Sequence, residues 1–337
     1  MNYIKFGYNL LLAKLGNRPV PFQVTFNVTD TCNLRCKYCY LSYHSRKKSE
    51  LSTAKWIEII NNLAKLGTVK INLSGGEPLL RKGIGDIITA VLENNIDCYV
   101  NTNGILVSKK IDVLRNISCL VVSLDGSERV NDSMRGKNSY KHVVNALTTA
   151  CKNDIPVQVT MVLGTHNTDE IDYMLSFAKE YSARLNILTQ IPVRSDNKFE
   201  RVKVNEQYLL AVQRILDYKK AGEPITYSLK SWENFLQWPH NNINKDFVLR
   251  NQQIPDNFIS CQAGKYFCVI DTDGDVYPCC SVIGNIPAPN ILKIGLDKSL
   301  QEISNHPCVA CNFPHNSEMN LLFGLDFNTI KNLLKIY

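Results

Sequence analysis

Cys32, Cys36 and Cys39 are the residues whose type and spacing promise chemistry most directly. They lie in the run Thr31-Cys32-Asn33-Leu34-Arg35-Cys36-Lys37-Tyr38-Cys39, a Cys-x3-Cys-x2-Cys loop just beyond the apolar stretch 22–28. Thiolate is the ligand type that holds iron–sulfur clusters. Three thiolates leave a four-iron cluster one ligand short, so its last iron is open to a substrate or cofactor. The same donors also fit a structural zinc knuckle, which closes with four ligands. His44, five residues past Cys39, would supply the fourth. Spacing alone leaves both open.

A second group comprises Cys261, Cys268, Cys279, Cys280, Cys308 and Cys311. Twelve cysteines in 337 residues, with no secretory signal at the start, point to metal binding rather than a disulfide framework. Cys98, Cys119 and Cys151 stand alone within apolar segments and read as packing residues.

These loops need a scaffold. Residues 22–28, 69–73, 98–101, 119–124, 157–163 and 185–188 read as strands, with helical patterns between them. Ser52 reads as an N-cap with a Leu51/Trp56 staple, and Gly67 as the stop of that helix. Six strand–helix units call for right-handed crossovers and a parallel sheet. Six are too few to close an eight-stranded barrel, so an open, partial (β/α)6 barrel is expected, with its site at the C-terminal strand ends. Residues 3–15 form an amphipathic helix, read as packed on the body rather than lying on a membrane surface. Residues 222–260 show no period. Asp273-Gly274 reads as the turn of a hairpin that delivers Cys279. The expected segments are an N-terminal helix (1–20), the core (21–195), a connector (196–254) and a cysteine-rich module (255–337).

Polar loops follow the strands at Ser74-Gly75-Gly76-Glu77-Pro78, Asn101-Thr102-Asn103-Gly104 and Ser123-Leu124-Asp125-Gly126, with Arg135 beyond. Two glycines let backbone approach a ligand, and Glu77 offers an acceptor for a cation. Taken singly, the first two of these loops also read as plain turns. The cysteine loop with Tyr38 before its last cysteine, followed one unit later by Gly75-Gly76-Glu77-Pro78, resembles the signature of the radical S-adenosylmethionine (radical SAM) superfamily. That resemblance implies a [4Fe–4S] cluster on Cys32, Cys36 and Cys39 that chelates SAM. It places the SAM ammonium at Gly75–Pro78, the ribose and methionine end near Asn103, Ser123 and Asp125 near SAM, and Arg135 against the SAM carboxylate. The distal cysteines resemble the SPASM/twitch auxiliary module. Nothing beyond Cys311 is a cysteine, which favours the single-cluster form, one auxiliary [4Fe–4S] on Cys261, Cys279, Cys308 and Cys311, with Cys268 as substitute.

The activity so implied is reductive cleavage of SAM and hydrogen abstraction by the 5′-deoxyadenosyl radical, as an oxidoreductase making an oxidation or a bond on a small metabolite. A peptide maturase or epimerase is the alternative, with Cys268, Cys280, Tyr266 or Tyr277 as hydrogen donors. A non-catalytic zinc or cluster protein is the rival of another class. A flavodoxin- or ferredoxin-type donor would supply electrons in the cytoplasm. Lys and Arg exceed Asp and Glu by 38 − 31 = 7, an excess too small and too spread to indicate nucleic acid. No Gly-x-Gly-x-x-Gly follows the first strand, which sets a Rossmann dehydrogenase aside.

Overall fold

The computed structural model describes residues 3–16, 18–41, 48–195, 198–200, 202–239, 246–250 and 258–336. Six strands recur with helices between them: β1 (Gln23–Asn27), β2 (Lys70–Ser74), β3 (Asp97–Thr102), β4 (Cys119–Ser123), β5 (Val157–Leu163) and β6 (Arg184–Thr189). Helices α1 (Tyr3–Leu15), α2 (Thr53–Leu66), α3 (Ile84–Glu93), α4 (Ile111–Leu114), α5 (Glu128–Arg135), α6 (Ser139–Lys152) and α7 (Ile171–Glu180) precede or separate them. Then come β7 (Val193–Ser195), β8 (Lys198–Glu200), α8 (Glu206–Lys220), α9 (Leu229–Gln237) and β9 (Phe247–Leu249). The distal part adds β10 (Phe267–Ile270), β11 (Val276–Tyr277), α10 (Ile291–Ile294), α11 (Leu296–Ser304), β12 (Cys308–Cys311), α12 (Pro314–Phe323) and α13 (Phe327–Ile336).

One eight-stranded sheet runs in the order β11-β10-β1-β2-β3-β4-β5-β6. Strands β1 to β6 are the expected parallel series. The addition is β10, which pairs parallel with β1 (Val24 opposite Cys268), while β11 folds back antiparallel on β10. An open edge at β1 would expose unpaired amides and carbonyls, and β10 covers it.

The chain forms two compact units that do not follow the sequence-order segments: one holds Met1–Ser123, Lys141–Val157 and Ala263–His306, the other Leu124–Tyr140, Gln158–Gln262 and Pro307–Tyr337. In the first, the strands are buried by α2, whose Trp56, Ile59, Ile60 and Leu63 face inward at helical spacing. Ser52 caps α2 by accepting from the Lys55 amide, and Gly67 ends it at φ 101°. Helix α1 buries Phe6, Leu10 and Ala13, with Phe6 edge-on to Phe22 at 5.4 Å, so it packs on the body. In the second unit, Tyr208 of α8 donates to the Leu163 carbonyl at 3.0 Å. The aperiodic stretch 222–260 contains α9 and β9, which the apolar pattern did not mark. No described helix is long and apolar enough to cross a membrane. Cys98 and Cys119 are buried as expected, but Cys151 on α6 is exposed and is not a packing residue.

Candidate active site

The cysteine loop leaves the C-terminal end of β1. The Cys39 amide donates to the Cys36 carbonyl at 3.1 Å, closing a turn between those two thiols. The Leu34 amide points at Cys32 Sγ, 3.5 Å away. All three thiols are half-buried, and Tyr38 between them is buried. Cys32 and Cys39 lie with Tyr40 and Cys280 against a core cluster of Leu41, Val269, Tyr277 and Ile283. Burial pushes the Cys32 thiol up to about 11, against the pull of the Leu34 amide and with the help of Glu77. Iron would displace that proton.

Gly75 and Gly76 have a reason other than approach to a ligand. A Cβ on Gly75 would sit 2.5 Å from the Thr29 carbonyl, and one on Gly76 2.4 Å from that of Thr31. Only glycine lets this backbone lie on the entry to the cysteine loop, where the Gly76 and Glu77 amides donate to the Thr29 and Thr31 carbonyls, each at 2.8 Å. Pro78 then starts a single turn capped by Glu77.

Glu77 is 1% exposed. Its carboxylate accepts from Thr102 Oγ1 at 2.8 Å, the Leu79 amide at 3.1 Å and the Asn103 amide at 2.8 Å. Burial raises it to about 7, with those three bonds opposing. Asn103 in turn donates from Nδ2 to Asn33 Oδ1 at 2.8 Å, between the first two cysteines. The loops after β1, β2 and β3 are thus one hydrogen-bonded unit. Asn33 and Thr102 belong to it; Thr102 lies in the polar loop already singled out, whereas no short-range pattern marks Asn33.

Ser123 ends β4 in the first unit, half-buried. In the second unit Asp125 and Arg135 are both buried. Arg135 does not present an open fork to a carboxylate. Its Nε and Nη2 go to Asp125 at 2.7 and 3.0 Å, because a buried carboxylate needs a partner. Asp125 also accepts from the Val162 amide at 3.0 Å.

The distal cysteines divide between the units. Cys268 is in β10 and 3% exposed, its thiol pushed up to about 12 by burial. Cys279 follows β11, as the hairpin reading expected. In the second unit β12 pairs antiparallel with β9, and the register shifts between Cys308 and Ala310. The Cys261 amide donates to the Val309 carbonyl at 2.8 Å, so Cys261 joins Cys308 and Cys311 there. His44 lies outside the described residues. Among the described residues, no three His, Cys, Asp or Glu side chains are arranged around a single metal ion. A four-iron cluster spreads its ligands over separate irons. The loop therefore meets that group by its donors: three half-buried thiols, one already facing a backbone N–H.

Residues 26–178 match the Radical SAM superfamily, and residues 261–320 match an iron–sulfur cluster-binding domain, SPASM. A probable GTP 3′,8-cyclase of Archaeoglobus fulgidus is 34% identical over 200 residues, 56% of this chain and 67% of that protein. The chain belongs to the radical SAM superfamily. Mycofactocin maturase MftC of Mycobacterium ulcerans is 27% identical over 265 residues, 77% of this radical SAM chain and 68% of that protein. In fold it is similar to SuiB of Streptococcus suis solved with S-adenosylmethionine, at a TM-score of 0.67 and 17% identity, covering 88% of this chain and 69% of that one. SuiB has also been solved with its precursor peptide SuiA, at a TM-score of 0.66 to this chain. This protein is therefore a radical SAM enzyme that takes a SAM-binding [4Fe–4S] cluster, with auxiliary iron–sulfur binding in its SPASM domain.

Proposed function

We propose that this enzyme modifies a peptide by hydrogen abstraction, with Cys32, Cys36 and Cys39 as the cluster ligands and one auxiliary cluster on Cys261, Cys279, Cys308 and Cys311. The observation that carries the reading is the reach of the similarity. The match to a maturase extends over 265 residues and that to a cyclase over 200.

Held by Cys32, Cys36 and Cys39, the cluster would supply the electron for reductive cleavage of SAM, and through it the hydrogen abstraction from substrate. The chain's own residues hold the three loops in register. Asn103 steadies Asn33 of the cysteine loop, Glu77 ties the β2 and β3 loops together, and the glycines allow their contact with the β1 loop. Held by Cys261, Cys279, Cys308 and Cys311, an auxiliary cluster would supply a one-electron acceptor for the substrate radical, with the accompanying proton going to solvent, so that substrate gains a new bond or a double bond. Tyr277 belongs to the apolar cluster that supports Cys32 and Cys39 and Cys280 packs against it, where a phenol or thiol would instead return a hydrogen atom in an epimerase. The setting is the cytoplasm, with a flavodoxin- or ferredoxin-type donor.

The test is anaerobic reconstitution, reduction with SAM, and assay of 5′-deoxyadenosine against short peptides encoded beside the gene. About eight irons per chain and a peptide two hydrogens lighter for each 5′-deoxyadenosine support an oxidative maturase. A product of unchanged mass in ordinary water that gains one deuterium when the reaction is run in heavy water indicates epimerisation. Turnover with a small metabolite and none with peptide would overturn the peptide assignment, and zinc in place of iron would overturn the whole reading.

A further inference from the structure

The cysteine loop is held at both ends by a segment more than two hundred residues away. Residues Asp271 to Asp275 form the turn between β10 and β11, closed by the Gly274 amide on the Asp271 carbonyl and the Asp271 amide on the Asp275 carbonyl. At the loop's entry, Asn27 donates from Nδ2 to Asp271 Oδ1 at 3.0 Å, and Thr272 Oγ1 donates to Asp30 Oδ1 at 3.2 Å. At its exit, the Leu51 amide donates to the Thr272 carbonyl at 2.7 Å. Lys48 Nζ lies 3.0 Å from Asp271 Oδ2, 2.8 Å from Asp273 Oδ2 and 3.0 Å from Asp275 Oδ2. The ammonium has three donors, and each has a carboxylate.

This arrangement has an electrostatic logic. Asp271 is fully buried, and three carboxylates on one five-residue turn repel each other. One cation among them offsets part of that repulsion, and it comes from Lys48, downstream of the loop that carries Cys32, Cys36 and Cys39. The same hairpin supplies Val269 and Tyr277 to the apolar cluster behind Cys32 and Cys39.

We infer that Lys48 is a positioning residue for the SAM-binding cluster, and that the carboxylate turn of the distal domain is the anchor it needs. This rests on the assignment of Cys32, Cys36 and Cys39 as ligands. Cluster retention at the loop then depends on a turn four residues ahead of Cys279. The distal domain thus serves the first cluster mechanically as well as contributing thiols of its own.

The experiment uses the full-length reconstituted protein and the Lys48→Met and Lys48→Arg variants. Electron paramagnetic resonance of the reduced protein distinguishes two signals, because only the SAM-binding cluster changes its spectrum when SAM is added. Each signal is followed during incubation with EDTA. In Lys48→Met the SAM-responsive signal decays at least about tenfold faster, the scale of losing a charged hydrogen-bonded contact, while the other signal keeps its wild-type decay. Lys48→Arg, which keeps the charge, stays within about threefold of wild type. Should Lys48→Met fail to fold, Asp273→Asn replaces it and gives a smaller change in the same direction. Wild-type decay in the substituted protein overturns the proposal, as does equal loss of both signals. A wild-type protein with no SAM-responsive signal would instead sink the ligand assignment on which it rests.

Discussion

Cys308 and Cys311 stand opposite Leu249 and Phe247 of the partner strand. In a regular strand, residues three apart point to opposite faces. Leu249 and Phe247 are two apart and share a face. The irregularity between Cys308 and Ala310 inserts Val309 as an extra residue, which turns both cysteines to one side. The other side is apolar: Ala310 and Val248 pack with Trp238.

On the proposed assignment of Cys308 and Cys311 as auxiliary ligands, loss of either thiol is expected to affect the auxiliary site alone. Cys311→Ser is expected to lower iron from about eight to about four per chain. The SAM-induced change in the electron paramagnetic resonance spectrum should survive in that variant. If the lost iron were the SAM-responsive cluster, Cys311 would not be an auxiliary ligand.

Asn103 and Asn33 give a second prediction. Asn103→Ala removes one partly buried hydrogen bond to the cysteine loop, worth about 1 kcal/mol. SAM affinity, measured by equilibrium dialysis on the reconstituted enzyme, should fall about five- to tenfold with iron content unchanged. An affinity equal to wild type would remove this contact from the site.

What could be read in the sequence was what is contiguous. The cysteine loop, the Gly-Gly-Glu-Pro turn and the Asp-Gly hairpin each carry their signal within ten residues. The core strands were legible through apolar runs and the turns between them. Lys48, Arg81 and Glu50 were not. Arg81 binds the carbonyls of Val28 and Leu51, each at 2.6 Å, and Glu50 at 3.0 Å, but an arginine after a turn announces none of this. Helix α9 was hidden for a different reason. Its buried face includes Ser231 and Asn234, which break the apolar stripe. Both are buried for polar partners: Ser231 donates to Glu318 at 2.7 Å and Asn234 to the Cys311 carbonyl at 3.0 Å. The strand β10 was too short for its pattern to reveal that β1 is its neighbour.

The glycines separate two kinds of constraint. A methyl on Gly76 meets the Thr31 backbone at 2.4 Å, which only a shift of the cysteine loop can relieve. Gly222 has φ +85° but open space around it. Gly222→Ala should cost about 1 kcal/mol by urea denaturation and leave iron content at the wild-type value. Gly76→Ala should cost about 1–3 kcal/mol and reduce iron retained at the SAM-responsive cluster. Equal iron in the two variants would show that contact between the loops does not position the thiols.

His315 on α12 sets a dependence on acid. Burial lowers its imidazole from 6.5 to about 4 in the folded chain. Above pH 6.5 the ring is neutral whether the chain is folded or not, and its contribution is constant. Between 6.5 and 4 the unfolded chain binds a proton that the folded chain refuses, so stability falls with pH and levels off below 4. Part of the residue remains accessible, so the loss is about 1–3 kcal/mol rather than more. Urea midpoints at pH 7 and pH 5 should show the wild-type protein weakening more than His315→Gln, whose side chain does not titrate. Parallel losses in the two proteins would assign the acid sensitivity to other groups.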